Sequence, residues 1–322
     1  MTHPITKASL AAFAALAIAW PAAAETTLRL AHNVDPADPR HTAAETFARV
    51  AAEESDGELD VRVFPAAQLG KSNEVQEGLQ QGTVDIVLES IGTLSSFHPL
   101  AGIESMPYLF RDAEHYLDIW TGPVGEEIKQ TIAEEANFKL LGHMFRGTRE
   151  LTSNKRVESI EDLEGLKIRV TPVKERLVTW QTFGASPTPM PFSEVFTSLQ
   201  QGVIDAQENP LPTIAKNSLN EVQDYLIRTS HMANGFTFQM NADKFEALPS
   251  ELQQALEKAA AAAAQEYNAY IEANEEALLK ELEAGGMTVI EIDQTPFREK
   301  AKEVVAQFPD LEPWYLRMTE AQ

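Results

Sequence analysis

Residues 74–85, EVQEGLQQGTVD, lie on residues 194–205, EVFTSLQQGVID, without a gap at an offset of 120 residues. Glu-Val, Leu-Gln-Gln-Gly and the closing Asp recur in register. Each copy reads as the end of an amphipathic helix, a glycine that can take the left-handed cap, and a short buried strand such as Val84–Leu88. Occurring once in each half of the chain, the unit predicts two related α/β lobes. Each repeated strand runs out into polar residues, Glu89-Ser90 in the first half and Gln207-Glu208-Asn209 in the second. Open α/β sheets bind ligands outside the carboxyl ends of their strands. Two such edges facing each other predict a cleft that closes on a small molecule.

Working outward, Thr26–Ala31 (TTLRLA) alternates polar and apolar residues as a strand does, and a helical stretch follows from His41 to Glu54. Leu59–Val63 is the next strand, and Asn73–Gln81 is the helix that ends at Gly82. This β-α-β order predicts parallel sheets, one in each lobe, with helices on both faces. Near the end of the chain, Ser250–Ala284 is helical throughout and stops before Gly285-Gly286. At 1.5 Å per residue it reaches about 50 Å, longer than one small lobe.

Composition narrows the function. With 26 Lys+Arg against 49 Asp+Glu among 322 residues, the net charge is −23. No basic run is present, so nucleic acid and anionic membrane surfaces are repelled as partners. The chain has no cysteine, which excludes disulfides, thiolate metal sites, iron–sulfur clusters and a cysteine nucleophile. The seven histidines are scattered, so no metal and no cofactor is expected. Residues 1–24, MTHPITKASLAAFAALAIAWPAAA, carry Lys7, an apolar stretch and Ala22-Ala23-Ala24, the pattern of a signal peptide cleaved after Ala24. The expected mature protein is exported, in a bacterium to the periplasm, and carries no later segment apolar enough to span a membrane.

Arginines stand among the strand signals. In Gly165–Val170, Ile168 and Val170 share one face and Arg169 points to the other. Arg149 follows the apolar strand signal Phe138–Phe145. A guanidinium matches a carboxylate with two parallel bonds, so cations aimed into a cleft of an acidic protein make a local anion site.

These residues belong to a longer pattern. The segments FPAAQLG (64–70), GTRELTSNK (147–155), SIEDLEGLKIRV (159–170) and FGASPTPMPFSEVFTSLQQGVIDAQENP (183–210) resemble, in order and spacing, the DctP-type solute-binding proteins of TRAP transporters. The likeness runs over nearly the whole mature chain. It implies a two-lobed α/β periplasmic binding protein with a ligand cleft between the lobes and a long helix spanning both. It also implies delivery of a carboxylate to a small and a large membrane subunit of a TRAP permease. The family's carboxylate-binding arginine falls on Arg169, its second arginine on Arg149, its asparagine on Asn209 and its aromatic on Phe192. From the first lobe, His32, Asn33, Glu74 and Glu89 fall where the family lines its pocket. The resemblance also implies discontinuous lobes, with the chain crossing near Arg146 and Asn234 and returning through the long helix, so that 25–146 with 235–274 form one lobe and 147–234 with 275–322 the other. A monomer suffices for this role.

Plainer roles exist for several of these residues. Glu74 opens a helix, where a carboxylate meets the N-terminal dipole; His32 suits a loop cap; Phe192 suits a core; Asn209 precedes Pro210 as turn residues do. If Glu74 and Glu89 do face the cleft, they repel a second carboxylate and accept hydrogen bonds from hydroxyls. A hexuronate-type sugar acid fits this better than a C4-dicarboxylate, the alternative ligand. An exported hydrolase is the alternative of another class, although neither Gly-x-Ser-x-Gly nor His-Glu-x-x-His occurs. The expectation is a binding protein, not an enzyme.

Overall fold

The structure, a computed structural model, describes residues 26–321; the signal-peptide reading of residues 1–24 lies outside the described residues. The first half runs β1 (Thr26–Ala31), α1 (Pro39–Glu54), β2 (Leu59–Phe64), α2 (Ser72–Gln81), β3 (Ile86–Glu89), α3 (Ala113–Thr121), α4 (Pro123–Ala136) and β4 (Phe138–Ser153). The second continues through β5 (Lys167–Val170), α5 (Lys174–Phe183), β6 (Ser186–Pro189), α6 (Val195–Gln200), β7 (Ala206–Pro210), α7 (Leu211–Lys216) and β8 (Tyr225–Asn241). It ends with α8 (Ala242–Glu246), α9 (Ser250–Ala284), β9 (Thr288–Ile290), α10 (Thr295–Val305) and α11 (Glu312–Glu320).

The internal repeat is structural. Gly82 and Gly202 both take positive φ, 74° and 68°, and β3 and β7 follow each at the same distance. Asp85 donates its amide to the Arg29 carbonyl, and the Arg29 amide donates to the Asp85 carboxylate at 2.9 Å. In the other half the Asp205 amide donates to the Lys167 carbonyl, and the Lys167 amide donates back to Asp205 at 3.2 Å. The recurring aspartate therefore locks the start of each repeated strand to the strand beside it.

Instead of one sheet per lobe, the strands form a single sheet in the order β2-β1-β3-β8-β4-β7-β5-β6, with β9 beside β8. Both three-strand ends of the order, β2-β1-β3 and β7-β5-β6, are parallel sets. β4 and β8 are long enough, 16 and 17 residues, to run antiparallel through both halves. Their pairing slips between Leu141 and Met144, between Phe145 and Thr148 and between Arg149 and Leu151, so the shared strands are irregular where they pass from one lobe to the other. One large apolar core holds the first half, β8's C-terminal end and most of α9, including Phe47, Phe138, Phe238 and Leu256. Two smaller cores hold the second half, around Trp180 and around Leu199 and Leu226.

α9 spans the residues expected for the long helix. Its alanines are functional in packing: Ala259, Ala260, Ala263 and Ala264 are buried, and Gly142 of β4 brings the backbone close to the Ala260 carbonyl. Further along, Leu278 and Leu282 enter the core of the other half. α11 packs back on the first half, where Met318 is buried and His115 meets its carbonyl at 2.9 Å. Among the described residues no helix is long and apolar enough to cross a membrane.

Candidate ligand-binding site

A cavity of about 190 Å³ lies where the carboxyl ends of the two parallel sets face each other. The first half contributes Asn33 after β1, Arg40 from α1, Ser72 and Glu74 from α2, and Glu89 at the end of β3. From the second half come Arg169 of β5, Arg176 of α5, Phe192 before α6, and Asn209 of β7; the shared strand β4 adds Arg146.

Three of the four arginines have no carboxylate within salt-bridge distance among the described residues. Arg169 donates Nε and Nη2 to one neutral carbonyl, that of Met190, at 2.9 and 2.7 Å. Arg176 reaches only hydroxyls, Ser105 at 3.3 Å and Thr171 at 3.0 Å, and its Nη2 is buried without a partner. Arg146 donates to Thr213 at 2.9 Å and Asn209 at 3.4 Å, lies 4.3 Å over the Phe236 ring, and keeps an unpartnered Nε. Burial is the largest influence on all three and pulls Arg146 and Arg169 down to about 9 and Arg176 to about 10, with the Arg149 charge pushing the same way. An anion in the cavity offsets both through its opposite charge.

Arg40 differs. It donates to Asn33 at 2.9 Å, faces Glu89 at 3.5 Å, and its guanidinium lies 4.0 Å over the Phe236 ring. Burial pushes the Glu89 carboxyl up, but Arg40, the Ser90 amide, Arg146 and the Ser72 hydroxyl together hold it below the usual range. Its Oε2 accepts from Asn33 and from Ser72, both at 2.9 Å. The cavity wall thus carries an ionised acceptor as well as the unpaired cations.

The sequence-derived residues divide. Arg169, Asn209, Phe192, Asn33, Glu74 and Glu89 all line the cavity. Phe192 sits 5.8 Å from the Arg169 guanidinium. Glu74 is exposed at the rim and at the same time caps α2, accepting from the Lys71 amide at 2.9 Å. Asn209 accepts from Arg149 at 3.0 Å and donates to Gln207 at 2.6 Å, which leaves one amide hydrogen free.

Arg149 and His32 stand apart from the cavity lining. Arg149 is fully buried behind it, gripping Glu208 through Nε and through Nη2 at 2.8 Å. Burial raises the Glu208 carboxyl, yet Arg149 and His231 outweigh that and hold it far below the ordinary range. Arg149 therefore reaches the site through Asn209. His32 is buried against His41, Nε2 to Nδ1 at 3.1 Å, and burial with Arg40 nearby lowers it to about 3, so it is neutral.

Arg40, Arg146 and Arg176 went unread in the sequence. A signal existed for two of them, since Arg40 and Arg176 occupy the first turns of α1 and α5, where the helix dipole disfavours a cation. A positive charge held there against the local field points to an anion close by.

Two lobes, a cleft at the strand carboxyl ends and unpaired buried cations facing it define a solute-binding protein for small anions. The chain belongs to the bacterial extracellular solute-binding proteins of family 7, DctP, which matches residues 30–310. It is 39% identical over 306 residues to a solute-binding protein of Roseobacter denitrificans, covering 92% of this chain and 91% of that one. The crystal structure of a TRAP periplasmic solute-binding protein from Roseobacter denitrificans OCh 114 with bound L-galactonate is similar at TM-score 0.87 and 36% identity, over 92% of this chain and 99% of that one. A TRAP periplasmic solute-binding protein from Xanthobacter autotrophicus Py2 with bound β-D-galacturonate matches at TM-score 0.87 and 28% identity, over 92% and 100% of the two chains. These relatives are solute-binding proteins.

Proposed function

We propose that the chain, exported to the periplasm by residues 1–24, captures a sugar acid of the hexuronate or hexonate kind and hands it unchanged to the two membrane subunits of a TRAP transporter. The observation that carries this reading is the cavity's asymmetry: unpaired Arg169, Arg176 and Arg146 share one space with the ionised Glu89. The ligand's carboxylate meets Arg169, and its hydroxyls donate to Glu89 and pair with Asn33 and Ser72. L-Galactonate and β-D-galacturonate, bound by the two similar structures, have this layout of one carboxylate and several hydroxyls.

A C4-dicarboxylate is the second reading, favoured by the number of unpaired arginines; Glu89 opposes it by repelling the second carboxylate. The bodies that close on the ligand are residues 25–146 with 235–274 and residues 147–234 with 275–322, with α11 strapped across to the first body. A thermal-shift screen of uronates, aldonates and C4-dicarboxylates tests the class, and calorimetry on Arg169→Ala tests the anchor. Loss of the guanidinium costs about 2–5 kcal/mol, at least about thirtyfold in Kd. Stabilisation by dicarboxylates alone, or unchanged affinity in Arg169→Ala, refutes the reading.

A further inference from the structure

A second cavity, of about 530 Å³, opens beside the arginine-lined one, and the two share Asn33, Phe192 and Ser193. It too lies between the lobes, with Asp35 and Ala37 on one side and Phe196, Lys216 and Asn217 on the other. Its chemistry is different. Lys216 is already paired with Glu281 at 2.8 and 2.9 Å, and an Asp35 oxygen accepts from the Ala37 amide at 2.9 Å. No unpaired cation faces this space among its lining residues. What it offers is a pair of half-buried phenylalanine rings, Phe192 and Phe196, bordered by the side-chain oxygen of Asn217 and the hydroxyls of Ser193 and Ser218. Asn217 is held in place by bonds to Asp38 at 3.3 Å and to the Thr213 carbonyl at 2.9 Å.

An apolar ring face edged by an amide oxygen and hydroxyls suits a sugar ring, which has apolar C–H faces and hydroxyls around its rim. We propose that the second cavity is a subsite for a neutral glycosyl substituent on the sugar acid, so that the protein accepts a neutral hexose joined to a uronate as well as the free uronate. The proposal rests on the sugar-acid reading above and on the continuity of the two cavities at Phe192. The absence of an unpaired cation selects a neutral sugar over a second uronate in this position.

Isothermal titration calorimetry tests it, with glucuronate, galacturonate, and disaccharides in which a neutral hexose is linked to either acid through each ring hydroxyl in turn. At least one disaccharide binds within about tenfold of its parent acid. Ala37 is exposed and lines the second cavity alone, so Ala37→Trp fills that space. It weakens the disaccharide by about tenfold or more while changing the parent by less than about twofold, and Ala37→Ser changes neither. The subsite is overturned if the parent acids bind while every disaccharide falls more than about tenfold short, or if Ala37→Trp treats both ligands alike. Failure of the parent acids themselves refutes the sugar-acid reading instead.

Discussion

Arg146 and Arg149 are three residues apart in β4 and meet different surroundings. Regular alternation over three residues would put them on opposite faces by spacing alone; here Gly147 takes φ 92° between them and the pairing with β8 slips between Phe145 and Thr148, so the local bulge and not the spacing fixes where each one points. The result is that Arg146 lines the cavity while Arg149 is buried against Glu208. A one-residue irregularity in a long-range pairing leaves no periodic trace in the sequence, which is why the motif alone pointed to Arg149. Replacing Arg149 with Met leaves the Glu208 carboxylate buried without its partner, at a cost of about 3–5 kcal/mol. Urea unfolding measures this; a loss below about 1 kcal/mol would mean that Glu208 finds other compensation. The double variant Arg149→Met with Glu208→Leu recovers part of the loss, because an apolar pair of similar volume needs no compensation.

At the scale of elements, the repeated helix, glycine cap and strand were legible because all their signals are local. The α9 boundaries were legible for the same reason, and Gly285 ends the helix. What α9 packs against was not. Its run of small residues allows close approach to β4 at Gly142, whose φ is +65° and where an added Cβ would lie 2.8 Å from the Ala260 carbonyl oxygen. Gly142→Ala combines an unfavourable backbone conformation with this clash and destabilises by about 1–3 kcal/mol. The thermal midpoint falls accordingly, and an unchanged midpoint would show that β4 and α9 can part at this crossing without cost.

Across the whole molecule, two contacts tie the lobes at the cavity mouth. Lys71, beside α2, pairs with Glu194, beside α6, at 2.8 Å across 123 residues of sequence, and Asn217 meets Asp38. Both members of the ion pair are exposed, so their attraction is screened by salt. Glu194→Lys turns attraction into repulsion at the rim, and stopped-flow measurement should show faster ligand release at low salt, converging with the parent protein near about 1 M salt, where the Debye length is about 3 Å. A salt-independent difference would assign the effect to a change in packing. The sequence by itself determined the α/β class, the doubled helix-cap-strand unit, the long helix and the acidic, cysteine-free character, because these depend on periodicity, glycine placement and composition. Only the tertiary structure decided that β4 and β8 join the lobes into one sheet and that Arg40, Arg146 and Arg176 turn to the cavity beside Arg169. Those features depend on strand register and bulges set by partners far along the chain, where neighbouring residues carry no record of the outcome.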